Sequence, residues 1–201
     1  DSLHKFANQV KTVNCTGDNI SNSKNVHHSF FAYETENVRY FVRGFNLKDS
    51  YDIHGSGGGE LIYEGVVTGW NSSKISFFTD ADHAQDSLYF IWCHGSKNVL
   101  DCIALREKQY CILNQQYSKE EYEALVSRII QHMNAMPYVD QKGRVYRYGE
   151  FFPPDLSPFA YNETVAQEYF PLTKEEALDK GYRWRDPEPR NYQITKRPGD
   201  L

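Results

Sequence analysis

The stretch Ser23-Lys24-Asn25-Val26 returns further along the chain as Ser96-Lys97-Asn98-Val99, and what lies between the two copies decides the fold. Weaker copies fill the interval. Taking the residue after each Asn-like or Asp-like polar position as an anchor gives Cys15, Val26, Val38, Ser50, Leu61, Ile75, Ser87, Val99 and Tyr110. Their positions differ successively by 11, 12, 12, 11, 14, 12, 12 and 11. Every second anchor then marks a coil of about 24 residues, and the distant echo spans three coils, within the range of repeat periods that signals a solenoid.

Between polar corners the chain has short apolar stretches that read as strands of a few residues. Three positions after the anchors stand Asp18, Ser29, Phe41, Ile53, Glu64, Phe78, Phe90, Cys102 and Leu113, mostly apolar. Asn and Asp suit the corners because they tolerate left-handed geometry and hydrogen-bond the local backbone. Coils stacked ~4.8 Å apart would satisfy the backbone and set like residues above like. An antiparallel sandwich also gives short strands at this spacing, but its loops vary more. The expectation is therefore an all-β, short-period parallel β-solenoid, with coils of about 24 residues, over positions 1–117. An insertion is expected near Trp70-Asn71 and a flexible corner at Gly55–Gly59.

A capping box, Ser118-Lys119-Glu120-Glu121, opens an amphipathic pattern of Tyr122, Leu125, Val126, Ile129, Ile130 and Met133. This predicts a capping helix within 118–136, its apolar face on the last coil. Residues 137–185, rich in aromatics and proline, are expected to wrap along the solenoid with short helices, one of them following the capping box Thr173-Lys174-Glu175-Glu176. From Asp186 the chain reads as an extended linker, 186–201.

The chain has 201 residues, 40% hydrophobic and 15% aromatic, enough for a self-sufficient core. A net charge of −5 does not support binding to phosphate backbones or anionic membranes. Cys15, Cys93, Cys102 and Cys111 lack zinc-finger spacing and read as reduced thiols, with Cys102 filling space as a small apolar group. No apolar run reaches the ~20 residues of a membrane span, and no signal peptide is present. Reduced thiols then favour a cytoplasmic setting, although a chain starting at Asp1 reads as a processed piece.

Several motifs resemble those of a family of uncharacterised proteins of candidate-phylum bacteria with Cys-rich repeats. They are Ser96–Cys102, Lys108–Asn114, Tyr117–Tyr122, Gly149-Glu150-Phe151-Phe152-Pro153, Ser157–Thr164 and Phe170–Ala177. In that family Cys occupies the anchor and the position three later, often beside zinc-ribbon-like segments. Here only Cys15 and Cys102 keep the sulfur, and apolar replacements cannot ligate zinc.

Tyr40, Tyr63 and Tyr89, two positions past Val38, Leu61 and Ser87, would form an aromatic ladder on alternate coils, a structural stack or a binding platform. The other alternate column holds His28, Asp52, Phe77 and Asp101. There Asp52 and Asp101, two coils or ~10 Å apart, are the candidate acid and base, with His28 nearby. Asp80, Asp82, His83 and Asp86 are candidate cation ligands, with a solvated turn as the simpler reading. No cofactor is expected. The function expected is a non-enzymatic binding or scaffold module of a larger bacterial protein, with an unidentified protein or glycan partner. The alternatives are a carbohydrate-active β-helix enzyme using surface carboxylates, and a nucleic-acid-associated module of a zinc-ribbon-containing protein.

Overall fold

The structure, a computed structural model, describes residues 6–187. The chain divides into two units, Asp1–Tyr138 with Tyr146–Phe152, and Val139–Val145 with Pro153–Leu201. The first is a parallel β-solenoid of about nine turns. Its strands are β1 (Gln9–Val10), β2 (Gly17–Ser21), β3 (Lys24–His27), β4 (Ser29–Tyr33), β5 (Glu36–Phe45), β6 (Leu47–Ser56), β7 (Gly59–Thr68), β8 (Ser72–Asp82), β9 (Gln85–His94), β10 (Lys97–Ile103), β11 (Gln109–Ile112) and β12 (Gln115–Gln116).

The register corrects the expected coil length. Val26 pairs with Val38, Val38 with Ser50, Ile62 with Ile75, Ile75 with Ser87, and Val99 with Cys111. One turn is therefore roughly 12 residues, half the expected coil, and successive anchors lie directly above one another. Two anchors also move by one position, from Leu61 to Ile62 and from Tyr110 to Cys111, because Ile62 and Cys111 are the buried members of each pair. The expected insertion is real and is a single residue: the step from Ile62 to Ile75 is longer by one than the step from Ile75 to Ser87, the extra residue falling at Gly69-Trp70.

A turn closes in so few residues because the chain bends at every third one. From Asn19 to Leu113 each third residue has φ near +50° or is a glycine, with a single shift of phase at Trp70. A left-handed residue bends extended backbone sharply, and four such bends make a four-sided turn. The residue after each bend points inward, so the core is also spaced by three: Ile20, Ser23, Val26, Ser29, Ala32, Thr35, Val38 and Phe41 are all buried. Asparagine adopts this conformation most readily of the non-glycine residues. At one corner it also builds a ladder, Asn14 donating to Asn25, Asn25 to Asn37 and Asn37 to Asp49, at 2.8–2.9 Å.

Inner side chains fall into four columns. The largest, Phe41, Phe78 and Phe90, share one column, and Phe78 stacks on Phe90 at 5.4 Å. Gly65 lies in that column below Phe78, where a Cβ would collide with the ring. Several inner side chains share one pair of bonds. Ser87 Oγ donates to the Gln85 carbonyl at 2.6 Å and accepts from the Val99 amide one turn on at 3.2 Å. Ser23, Ser29, Ser50 and Ser96 repeat both bonds. Cys102 does the same through sulfur, to Leu100 O at 3.3 Å and from Asn114 N at 3.4 Å. This corrects its reading as a small apolar filler: the thiol replaces a hydroxyl.

The last turn is closed by the chain reversing, so that β12 runs antiparallel to β11. Helix α1 (Lys119–Ala135) then begins on the expected capping box of Ser118 and Glu121. Tyr122 is its buried residue, packing with Leu100, Ile112 and, at 5.8 Å, Tyr110 on the last turns. Leu125, Val126, Ile129 and Met133 join that cluster. The tail differs from expectation. Of positions 137–185, only Pro137, Tyr138 and the segment Tyr146–Phe152 belong to the solenoid unit, and the remainder belongs to the second unit. Within that unit Tyr161 stacks on Tyr182 at 4.9 Å, Arg185 pairs with Glu163 at 2.6 Å, and Thr173 and Glu176 cap helix α2 (Lys174–Asp179). Of the expected linker 186–201, positions from 188 onward lie outside the described residues.

Candidate binding site

The shorter turn merges the two alternate columns of the sequence reading into one. His28, Tyr40, Asp52, Glu64, Phe77, Tyr89 and Asp101 each precede a residue of the column Ser29, Phe41, Ile53, Gly65, Phe78, Phe90 and Cys102, so they stack turn upon turn at one corner. Tyr63 stands beside that column, paired with Tyr51 in the preceding strand position.

Together the two positions form a continuous run of rings. Centroids are separated by 5.2 Å from His28 to Tyr40, 5.1 Å to Tyr51, 5.9 Å to Tyr63, 5.5 Å to Phe77 and 4.5 Å to Tyr89. One end is sealed. Tyr148 and Phe152 pack on Tyr89, whose hydroxyl accepts from Gly149 N at 3.0 Å and donates to Glu150 O at 3.1 Å. Phe77 and Tyr89 are accordingly 3% and 7% exposed, whereas Tyr40, Tyr51 and Tyr63 are 45%, 37% and 36% exposed. Of the expected ladder, Tyr40 and Tyr63 are open and Tyr89 is a structural clamp.

Where the clamp ends, Phe151 borders a shallow groove of about 410 Å³ with Tyr40, Val42, Asp52, His54, Glu64 and Val66. Partial desolvation holds the carboxyls of Asp52 and Glu64 above their ordinary range, and the neighbouring Asp52 charge adds to the effect on Glu64. The Tyr63 hydroxyl hydrogen-bonds Glu64, which pushes the phenol up to about 12.

Asp52 and Asp101 do not form a pair. The register puts four turns between them, ~19 Å at the strand spacing, about twice the widest separation of an inverting hydrolase. The groove instead sets Asp52 one turn from Glu64. The proposed cation ligands also separate: Asp80, His83 and Asp86 occupy three successive bends around the turn. Asp82 pairs with His83 at 3.0 Å, and Asp80 pairs with His94 at 3.2 Å. Among the described residues no cluster of three or more His, Cys, Asp or Glu could hold a metal ion, and no helix is long and apolar enough to cross a membrane.

Tyr51, Glu64 and Phe151 escaped the sequence reading. The first two were within reach of it, since correcting one anchor from Leu61 to Ile62 puts Glu64 above Asp52. Phe151 depends on tertiary packing. The fold and groove define a β-solenoid with a lateral aromatic and acidic groove. No family model matches the chain, and no curated protein matches it.

Proposed function

We propose that the protein is a non-catalytic binding module whose ligand is a basic segment of a partner protein, laid along the open rings Tyr40, Tyr51 and Tyr63. The observation that carries this reading is an open run of rings, Tyr40, Tyr51 and Tyr63, leading into a groove where Tyr40 stands with the two carboxyls of Asp52 and Glu64. Ring faces attract ammonium and guanidinium groups, more strongly where water is excluded. Two like charges one turn apart, each with a raised pKa, are stabilised by a cation between them. His54 is the one basic side chain lining the groove.

The test is titration calorimetry with lysine- and arginine-rich, neutral and acidic peptides beside a glycan panel. Basic peptides should bind, and Tyr51→Ala or Glu64→Gln should each weaken binding roughly 3-fold to 30-fold, the range of a cation–π contact. Binding unaffected by both substitutions, or confined to glycans, would reject the reading.

A second reading rests on the one-turn separation of Asp52 and Glu64, ~4.8 Å along the stack, close to that of a retaining glycosidase. Glu64, which the Tyr63 hydroxyl holds in place, would be the acid and Asp52 the nucleophile. Turnover on the glycan panel that Glu64→Gln abolishes would establish it in place of simple binding.

A further inference from the structure

A different outer face carries a pattern that reads the same from both ends. It flanks the inner series Ala32, Gly44, Ser56, Thr68, Ala81 and Cys93, whose members pair turn to turn. The left-handed residues just before them are Phe31, Arg43, Gly55, Val67, Asp80 and Trp92. In stacking order these are aromatic, cationic, small, apolar, anionic and aromatic. Phe31, Val67 and Trp92 are exposed, and Arg43 makes no ion pair among the described residues.

We infer that this face joins two copies of the chain as an antiparallel dimer, with the two-fold axis crossing the strands between the levels of Gly55 and Val67. Reversing the column and laying it on itself brings Phe31 onto Trp92, Arg43 onto Asp80 and Gly55 against Val67, each contact occurring twice, as an isologous interface requires. No other partner needs the same surface to be cationic in one half, anionic in the other and apolar at matched levels.

Five intervals of ~4.8 Å between Phe31 and Trp92 give a footprint about 24 Å long and about 10 Å wide. That is far below the roughly 800 Å² per partner of a standard stable interface, so the dimer is a weak one, populated only toward near-millimolar protein.

Analytical ultracentrifugation from low micromolar to near-millimolar protein tests the assignment. Wild type should shift from monomer to dimer. Arg43→Asp alone and Asp80→Arg alone should remain monomeric at concentrations where wild type is dimeric. An equimolar mixture of the two should recover the dimer, because both contacts then join opposite charges. Trp92→Ala weakens the dimer without touching charge, and thermal melts of each variant confirm that it is folded. Wild type that stays monomeric throughout, or single variants that dimerise like wild type, or a mixture of folded variants that fails to recover the dimer, would each overturn the proposal.

Discussion

Replacing Ser87 by alanine separates two accounts of the core. Ser87 is fully buried, and if its hydroxyl were an incidental polar group in an apolar lumen, removing it would be neutral or stabilising. The structure argues otherwise, because the hydroxyl both donates to Gln85 O and accepts from Val99 N. Alanine leaves the buried Val99 amide without that partner, which costs about 1–3 kcal/mol, and the cavity created is too small to add much. A loss near ~2 kcal/mol lowers Tm by about 4–8 °C for a chain of this size. Ser87→Cys should cost less than half as much, since Cys102 already makes the same two bonds through sulfur. Thermal and urea melts of the three proteins measure this directly. Alanine equal to or more stable than wild type, or cysteine no better than alanine, would refute the bridging role.

Two further outcomes follow from the groove and its clamp. Asp52 and Glu64 have folded pKa values above their ordinary 3.8 and 4.5, so the native state holds protons that the unfolded chain releases. Their contribution to stability is full below the unfolded values and is lost as pH rises through the folded ones. Asp52→Asn with Glu64→Gln should therefore melt above wild type at neutral pH, with the advantage vanishing as the pH falls below 3.8. Tyr89→Phe removes the hydroxyl that holds Gly149 and Glu150, at a cost of about 1–2 kcal/mol. Hydrogen exchange at residues 149–152 should rise while that of the solenoid strands stays unchanged.

The spacing of Val26, Val38, Ser50, Ile75, Ser87 and Val99 made the parallel stack legible in the sequence, because register repeats the environment of each position at every turn. The length of the turn was not legible. A turn this short needs four left-handed bends, and at Phe31, Arg43, Val67 and Trp92 the bend is made by residues with no preference for that conformation. The corner of Asn14, Asn25 and Asn37 and that of Asn22, Asn46, Gly58, Asn71 and Gly95 announce themselves, and the others do not. The turn-to-turn ladder closes the backbone hydrogen bonds at every bend and so holds unfavourable residues there. The candidate site was half visible for the same reason. Tyr40 and Asp52 follow from the anchors, Glu64 was lost to a slip of one position, and the burial of Tyr89 under Gly149 and Glu150 joins parts of the chain far apart in sequence.

The cysteines show how strictly the inner position selects chemistry. Cys15, Cys93, Cys102 and Cys111 all point inward, and each thiol donates to the carbonyl two positions back, as the inner serines do. A thiolate cannot donate, so this role requires the proton. Burial pushes Cys102 up to about 11 and raises Cys93 and Cys111 as well, which keeps all three protonated at neutral pH. Metal binding would have to remove those protons and break the bonds that they make. The three thiols also sit in three different inner columns on successive turns. At Cys102 the thiol takes over both bonds of an inner serine, donating to Leu100 O and accepting from the Asn114 amide one turn above, so there the residue's place follows from that amide's need for a partner.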